Sequence, residues 1–260
     1  MADTRADAGE ASASFRATAS ADRLRACVSA LGALVDECRV ELAPEGLRVR
    51  AMDPATVAAV DLRLDRAAFD RYEATGTTVG LALDRLEEAL ATAEGSVELA
   101  LRPETHTLRV ASGDFEYALG LVDPSAIRSP PDAIAPDEGA DLAAVTLSGD
   151  TFGRAVDAAA GLADHLTLAV DPDGERFRVE AGGDTDEFTL DRAGADLPGF
   201  EAREADSVLS VDYLRAVARE LPDGPVDLRL GVEHPLYVTF DLADGDGRVR
   251  YAVAPRLRRT

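Results

Sequence analysis

The segment Gly120–Asp141, GLVDPSAIRSPPDAIAPDEGAD, divides the chain near its middle. It shows neither the alternating pattern of a strand nor an apolar helical face, and it contains the prolines Pro124, Pro130, Pro131 and Pro136. Because proline fixes φ and lacks a backbone donor, such a run favours an extended surface connector over a sheet strand. The sequence therefore predicts a domain over residues 14–119, an interdomain connecting loop over residues 120–141 and a second domain over residues 142–260.

The two sides of this connector carry the same residue pattern. Seven residues of the first half meet an identical or similar residue in the second half at a constant separation of 128 positions. The pairs are Asp22 with Asp150, Leu24 with Phe152, Val28 with Val156, Leu34 with Leu162, Gly46 with Gly174, Asp84 with Asp212 and Leu86 with Leu214. A fixed period of this kind is the signature of an internal repeat. We therefore predict that the two domains share one fold.

Each half also presents its strand and helix patterns in the same order. Apolar residues at helical spacing predict four helices, and an aspartate lies in the first turn of each, where we interpret it as a cap. At the first helix, Ser20 also offers a side-chain oxygen beside Asp22. Alternating patterns predict first-half strands at residues 15–19, 38–42, 47–52, 57–64, 77–83, 97–101, 107–111 and 115–119, with matching strands in the second half. The predicted order is β-α-β-β-β-β-α-β-β-β in each half. Helices on one face of mostly antiparallel sheets make the fold class α+β.

The composition is strongly acidic. The chain has 260 residues and a formal net charge of −22, and it contains no lysine, asparagine or glutamine. At about 1 M salt the Debye length is only about 3 Å, so the self-repulsion of such a chain is screened while its acidic surface stays hydrated. We interpret the composition as that of a halophile with a GC-rich genome, and an ordinary acidic cytosolic protein is the alternative.

Targeting signals are not apparent in the sequence. No apolar run approaches the roughly 20 residues that a membrane-spanning helix needs, and no signal peptide opens the chain. Residues 1–13, MADTRADAGEASA, are small and polar, and we expect a disordered tail. The expected location is the cytoplasm, in association with the nucleoid.

The residues that carry chemistry in enzymes do not form a recognisable set. Cys27 and Cys38 are eleven positions apart without a CxxC motif, and their surroundings predict buried small hydrophobes. The three histidines are scattered, so no metal site is predicted. The sequence contains neither of the phosphate-binding motifs G-x-G-x-x-G and G-x-x-x-x-G-K-[ST], and it lacks the G-x-S-x-G motif of a nucleophile elbow. The sequence therefore predicts no enzyme and no cofactor.

Charge is distributed unevenly between the predicted surfaces. Apart from the four aspartates interpreted as caps, the helices carry six arginines against four carboxylates. These are Arg23, Arg25, Arg85, Arg154, Arg215 and Arg219 against Glu87, Glu88, Asp157 and Glu220. We therefore expect the outward helix faces to be the least acidic surface. Arginines on a solvated helix face can also lack a function, and periodicity alone does not decide between these alternatives.

Several short motifs, spread from about Ser14 to Arg258, resemble one family. They are Glu45-Gly46-Leu47, Ala51-Met52-Asp53-Pro54, Val57, Asp164-His165-Leu166, Glu180-Ala-Gly-Gly-Asp184 and Tyr251-Ala-Val-Ala-Pro-Arg256. Together they resemble the archaeal and eukaryotic DNA sliding clamp, proliferating cell nuclear antigen. The resemblance implies a closed homotrimeric ring around duplex DNA, with helices lining the hole and strands outside. Such a ring is a processivity factor that tethers DNA polymerase, flap endonuclease and DNA ligase and is opened by a clamp loader.

The resemblance also implies that the helix arginines face the DNA: Arg23, Arg25, Arg85, Arg154, Arg215 and Arg219. The basic positions of the family map onto Arg25, Arg154 and Arg219, but also onto Gly32, Glu88, Ala91 and Asp157, which carry no positive charge. Phosphate binding that is driven by counterion release weakens steeply with salt. We therefore hypothesise that the clamp retains DNA chiefly by topology, with a few arginines and bound cations bridging to the DNA backbone.

Two further surfaces follow from the resemblance. The partner-peptide pocket would comprise Met52, Thr56, Val57, Ile127, Pro235, Ala254 and Pro255, with the connector as one wall, and would admit a short helical turn with apolar and aromatic anchors. Thr56 replaces a commoner histidine, and from periodicity alone Met52 and Val57 would be ordinary core residues. The subunit interface would pair residues 114–119 with residues 186–191 of the next subunit and involve Phe115, Tyr117, Phe188 and Leu190.

Other classes of protein compete with this interpretation. A subunit of a checkpoint-type heterotrimeric clamp shares the fold but would not close with copies of itself. A bacterial-type clamp protomer has three domains and would be longer. A hydrolase or transferase would need a catalytic constellation, and a structural scaffold unrelated to DNA would leave the Met52-Asp53 and Ala254-Pro255 motifs unexplained.

Overall fold

The computed structural model describes residues 14–130, 134–137, 139–183 and 185–256, so the predicted tail at residues 1–13 lies outside the described residues. The four helices are α1 Ala21–Gly32, α2 Leu83–Ala91, α3 Gly149–Ala160 and α4 Val211–Ala218. Within the described ranges no helix is long and apolar enough to cross a membrane.

The strands fall into two sets of nine, counted over the described residues. The first-half strands are β1 Phe15–Ser20, β2 Glu37–Ala43, β3 Gly46–Met52, β4 Ala58–Asp65, β5 Arg71–Ala74, β6 Thr77–Ala82, β7 Ser96–Arg102, β8 Thr107–Ser112 and β9 Phe115–Gly120. The second-half strands are β10 Ala143–Ser148, β11 His165–Asp171, β12 Arg176–Gly182, β13 Glu187–Ala193, β14 Gly199–Glu201, β15 Ala205–Ser210, β16 Pro225–Leu230, β17 Leu236–Leu242 and β18 Gly247–Val253. The predicted α+β class with two equivalent halves is confirmed.

The internal repeat differs from its prediction in two details. The short strands β5 and β14 were not predicted, because three or four residues are too few to show an alternating pattern. The constant separation of 128 holds for the first residue of α1 and α3, but β12 begins 130 positions after β3. The predicted equivalence of Gly46 and Gly174 is therefore wrong, because the β11–β12 turn is two residues longer and Gly174 lies within it.

The prediction that aspartates cap the helices is also wrong. The Ser20 side chain accepts a hydrogen bond from the Arg23 backbone N–H, and Ser148 accepts one from Thr151, so serines supply these two caps. Asp22 and Asp150 lie one position inside the helices, where their charge still favours the helix N-terminus. Asp84 of α2 accepts a hydrogen bond from the Arg85 backbone N–H at 2.7 Å, but a carboxylate keeps its charge when it accepts a hydrogen bond. All four aspartates therefore count in the charge of the helix faces.

One sheet crosses from the first half into the second. Its order is β14-β10-β16-β17-β18-β4-β3-β2-β6, and the β4–β18 pairing joins the halves, from Gly247 opposite Leu64 to Val253 opposite Ala58. A five-stranded sheet, β5-β1-β7-β8-β9, and a four-stranded sheet, β13-β12-β11-β15, belong to one half each. Strands β9 and β13 are therefore edge strands of their sheets.

The core lies between the helices and the sheets. Phe152 and Val156 on α3 and Leu214 on α4 are fully buried, and each such side chain stabilises the fold by about 1.5–3 kcal/mol. The buried Tyr251 hydroxyl of β18 donates a 2.6 Å hydrogen bond to the carbonyl of Ala30 on α1, which ties the second half to a first-half helix. Cys27 and Cys38 are buried as predicted, and burial raises the pKa of each thiol to about 12.

The connector is more regular than the sequence predicts. Val122 forms an isolated bridge with Gly80 of β6, Pro124–Ala126 forms a short 3-10 turn, and Ile127 and Ile134 are buried. A Cβ atom on Gly80 would lie 2.4 Å from the Val122 carbonyl oxygen, so only glycine permits this close approach. Val122, Ile127 and Arg128 therefore contact the first half, whereas the Ile134 carbonyl accepts a hydrogen bond from Arg250 of β18 in the second half. Residues 131–133 and 138 lie outside the described ranges.

Candidate functional site

The two α1 arginines of the predicted DNA-facing set bind to other parts of the protein itself. The Arg23 guanidinium donates to the carbonyl of Ala68 and lies 3.9 Å from the Asp244 carboxylate. Arg25 donates from Nε to the Leu90 carbonyl at 3.1 Å, and its other nitrogens donate to Ala93 and Asp22. The Leu90 and Ala93 carbonyls lie at the end of α2, where such a contact satisfies backbone acceptors. Both arginines thus have structural partners that the sequence did not predict.

The remaining helix arginines are more exposed. Arg154 pairs with Asp150 on α3 at 3.2 Å, and Arg215 of α4 pairs with Asp157 of α3 at 3.4 Å. Arg219 is exposed and has no carboxylate within 4 Å among the described residues. Arg85 is also exposed, but it lines a groove beside the connector.

The predicted positive balance of the helix faces is not present. The prediction set aside four aspartates as caps, but those that the serines replace are charges like any other. When all eight carboxylates are counted against the six arginines, the balance is −2. The carboxylates are Asp22, Asp84, Glu87, Glu88, Asp150, Asp157, Asp212 and Glu220.

A surface groove of about 910 Å³ contains two residues of the predicted peptide pocket, Met52 and Ile127. It lies between the α1–β2 turn, the end of β3, the start of α2 and the connector. Its apolar lining includes Leu34, Val35, Ala51, Met52, Pro54, Leu121, Val122 and Ile127. A cleft that combines apolar lining with polar groups in this way is typical of a site for a peptide or small ligand.

The other predicted pocket residues lie beyond this groove. The Ala254 backbone N–H donates to the Val57 carbonyl at 2.8 Å, and Pro255 follows Ala254 in the chain. Pro235 precedes Leu236, which pairs with Val253 in the β17–β18 register. The structure thus brings Val57 and Ala254 together in one group and Met52 and Ile127 in another, and the loop of residues 53–57 runs between the two groups. Thr56 is exposed in this loop, at φ 63°.

Asp53 organises that loop, a role that the sequence analysis missed. Its buried carboxylate accepts hydrogen bonds from the backbone of Ala55, Val57 and Ala58 and, at 2.7 Å, from the Tyr213 hydroxyl on α4. Burial alone would raise the pKa of Asp53, but these donors outweigh burial and lower it. The Asp-Pro pair at residues 53–54 is itself a turn signal, since aspartate often bonds to backbone two residues on.

The four predicted interface residues lie on the two edge strands. Phe115 is 56% exposed and Tyr117 is partly buried on β9, while Phe188 and Leu190 are partly buried on β13. In the repeat, β9 is the counterpart of β18, and β13 is the counterpart of β4. Because β4 and β18 pair with each other inside the chain, the two free edges match in shape and pattern.

Two equivalent α+β halves, joined by a continuous sheet and carrying the corresponding edge strands β9 and β13, define the DNA clamp fold. The family described as proliferating cell nuclear antigen, N-terminal domain, matches residues 15–111. The chain is 44% identical to the DNA polymerase sliding clamp of Natronomonas pharaonis over 248 residues, which cover 94% of this chain and 99% of that relative. Identity to the sliding clamp of Haloarcula marismortui is 42% with the same coverage.

Solved structures agree with these relatives. The structure described as the C-terminal region of FEN-1 bound to A. fulgidus PCNA superposes with a TM-score of 0.87 at 31% identity, over 95% of this chain and all of that chain. PCNA from Thermococcus kodakaraensis gives a TM-score of 0.82 at 26% identity, over 93% of this chain and all of that chain. The chain therefore belongs to the DNA polymerase sliding clamp family, as the motifs predicted.

Proposed function

We propose that the protein closes into a homotrimeric ring around duplex DNA and serves as processivity factor and tether for replication enzymes. The observation that carries this proposal is the match between the two free edges, β9 and β13, and the internally paired strands β18 and β4. A head-to-tail interface that repeats until it closes produces a ring. Closure would also cover both exposed strand edges, which otherwise promote aggregation.

The internal joint supplies a register for the joint between subunits. Inside the chain, Val249 lies opposite Leu62 and Tyr251 lies opposite Val60, and all four side chains are fully buried. If β9 and β13 of neighbouring subunits pair as their counterparts β18 and β4 do, Phe115 would lie opposite Leu190 of the next subunit. Tyr117 would likewise lie opposite Phe188 of the next subunit. The half-exposed apolar residues of both edges would then be buried like their counterparts.

A cysteine pair and a mass measurement test this proposal together. We expect a mass near three times 27.4 kDa by light scattering in molar KCl. Phe115→Cys combined with Leu190→Cys should form disulfides between subunits on oxidation, because directly opposed residues have Cβ atoms about 4.5–5.5 Å apart. Phe115→Cys with Glu187→Cys is the matched control, since Glu187 is out of register and should link poorly.

The outcomes separate the proposed ring from its rivals. A monomer at all salt concentrations, with no linking of the matched cysteine pair, would contradict the homotrimer and favour the checkpoint-type subunit of a heterotrimer. A trimer that links equally well in both cysteine pairs would contradict the register. Loss of the trimer in dilute buffer alone would indicate that salt screening supports ring closure.

Partner enzymes would bind through short peptides on the groove side of each subunit. The relative from A. fulgidus was solved with the C-terminal region of FEN-1, which supports a flap endonuclease as one partner. The groove at Met52 and Ile127, together with the adjoining Val57 and Ala254, offers apolar surface for such a peptide. DNA polymerase, DNA ligase and the clamp loader are the other expected partners. We expect no catalytic activity of the clamp itself and a cytoplasmic location at the nucleoid.

A further inference from the structure

The groove beside the connector is less acidic than the protein as a whole. It is lined by four arginines and three carboxylates, whereas the whole chain carries a net charge of −22. The arginines are Arg39, Arg50, Arg85 and Arg128, and the carboxylates are Asp36, Glu37 and Asp84. The arginines of the lining thus outnumber its carboxylates by one.

Three of these arginines form no ion pair within 4 Å in the described ranges, although Asp123, whose pKa is lowered chiefly by its hydrogen bonds from Ser125, also interacts with the charge of Arg39. Arg39 donates to the carbonyl of Ile127, and Arg128 donates from Nη1 to the carbonyl of Pro54 at 3.4 Å. Arg85 is exposed near Gly120. None of the three has a carboxylate within 4 Å in the described ranges of the chain. On the outer sheet surface the pattern is different, since Arg48 there binds Asp61 with two hydrogen bonds.

The positions of the exposed arginines suggest the occupant. Arg85 lies beside Gly120 at one end of the connector wall, and Arg128 lies beside Pro54 at the other. The apolar lining, with Met52, Val122 and Ile127, lies between them. A peptide with apolar anchors in its middle and carboxylates on both flanks would complement this arrangement.

We propose that the groove selects acidic partner peptides, in which Asp or Glu residues flank the apolar anchors. This inference rests on the proposed function, because it specifies the partner of the same peptide site. Guanidinium groups bind carboxylates through paired, charge-assisted hydrogen bonds, which persist at contact distance when salt screens longer-range attraction. Lysine on the same flanks would face the arginines and be rejected.

Three synthetic peptides with one apolar–aromatic core test the selection. Their flanks carry glutamate, serine or lysine, and their affinity for the intact protein is measured by fluorescence anisotropy. We expect the glutamate peptide to bind about tenfold more tightly than the serine peptide and the lysine peptide to bind most weakly. Arg85→Ser with Arg128→Ser should abolish the preference for glutamate, which is measured as the ratio of the affinities of the glutamate and serine peptides for the same variant.

A matched control replaces two exposed arginines that do not line the groove, Arg16→Ser with Arg229→Ser. This variant loses the same charge and should keep the full preference for glutamate. Equal affinity of the original protein for all three peptides would overturn the acidic selection while the proposed tethering function stands. Binding of no peptide at all would overturn the tethering function and this inference together. Equal loss of preference in both double variants would also overturn the inference, since net charge alone would then explain it.

Discussion

Asp53 joins the loop of the peptide site to a helix of the other half of the chain. Its carboxylate holds three backbone N–H groups of residues 55–58 and the Tyr213 hydroxyl. The hydrogen bond from Tyr213 to Asp53 joins side chains that are 160 positions apart in the chain. Because the carboxylate is 3% exposed, its partners cannot easily turn to water instead. The loop therefore depends on the negative charge of this one group.

We predict that Asp53→Asn lowers the free energy of unfolding by about 1–3 kcal/mol. The asparagine side chain has only one acceptor oxygen, so some of the N–H and O–H groups that bind Asp53 would face an NH₂ group, which cannot accept a hydrogen bond. Chemical denaturation in molar KCl at neutral pH measures the change. The control is Asp223→Asn, which removes an exposed aspartate and should change stability by less than about 0.5 kcal/mol. Equal stability of both variants would contradict the proposed role of Asp53.

The pH dependence of the stability of the original protein and of Asp53→Asn gives a second expectation. The folded-state pKa of Asp53 is lowered, so its stabilising contribution is present above the pKa of the unfolded chain, about 3.9. That contribution is lost as the pH falls through the lower, folded-state pKa. The stability difference between the original protein and Asp53→Asn should therefore be constant near neutral pH and shrink below about pH 4. A difference that grows on acidification would contradict this assignment.

The connector is the element whose packing shapes the groove. Gly80→Ala should displace it, because the new Cβ atom would lie 2.4 Å from the Val122 carbonyl oxygen and 2.9 Å from Ile127 Cδ1. We expect a loss of about 1–3 kcal/mol in stability and faster hydrogen exchange over residues 121–127. Gly153→Ala in α3 is the control, since its Cβ atom would meet only an ordinary 3.9 Å contact and should stabilise the helix. Unchanged exchange in Gly80→Ala would contradict this packing.

Regular elements were predictable from local pattern, and their contacts were not. The stripe at Leu24, Val28 and Leu31 faces the core and gave α1 correctly, because helical spacing is visible in sequence. The approach of Val122 to Gly80 joins residues 42 positions apart, and no local signal marks the partner of an isolated glycine. The same holds for Arg25, whose spacing suggests an outward face although its guanidinium folds back onto the end of α2.

Only part of the candidate site was predictable from the sequence. The resemblance brought Met52 and Ile127 into one pocket, and both line the groove. The predicted positive charge of the helix faces was too high, because the four aspartates interpreted as caps were left out of the count. Serine and aspartate two positions apart can both accept from the first turn, and sequence alone does not decide between them. The arginines of the groove were not predicted, because they come from β2, β3, α2 and the connector, which only the fold brings together.

At the scale of the whole ring, the helix faces offer little net attraction for DNA. With a balance of −2 per chain, we expect retention on DNA to depend on ring closure more than on phosphate contacts. Arg154→Glu with Arg219→Glu should therefore load and slide like the original protein on circular DNA in molar KCl. Retention is measured by co-elution with the circle before and after linearisation. Loss of loading by a variant that is still trimeric would contradict retention by topology.

The proposed ring contains two kinds of sheet joint in alternation, and they differ in mechanical strength. The joint within a subunit has seven opposed residue pairs between β4 and β18, the Tyr251 bond to Ala30, the Asp53 bond to Tyr213 and a covalent connector across it. The joint between subunits has only its strand pairing and side-chain contacts. A pulling force would therefore separate two neighbouring subunits at their boundary while each subunit stays folded. The opened ring would then consist of three rigid subunits joined at the two remaining boundaries.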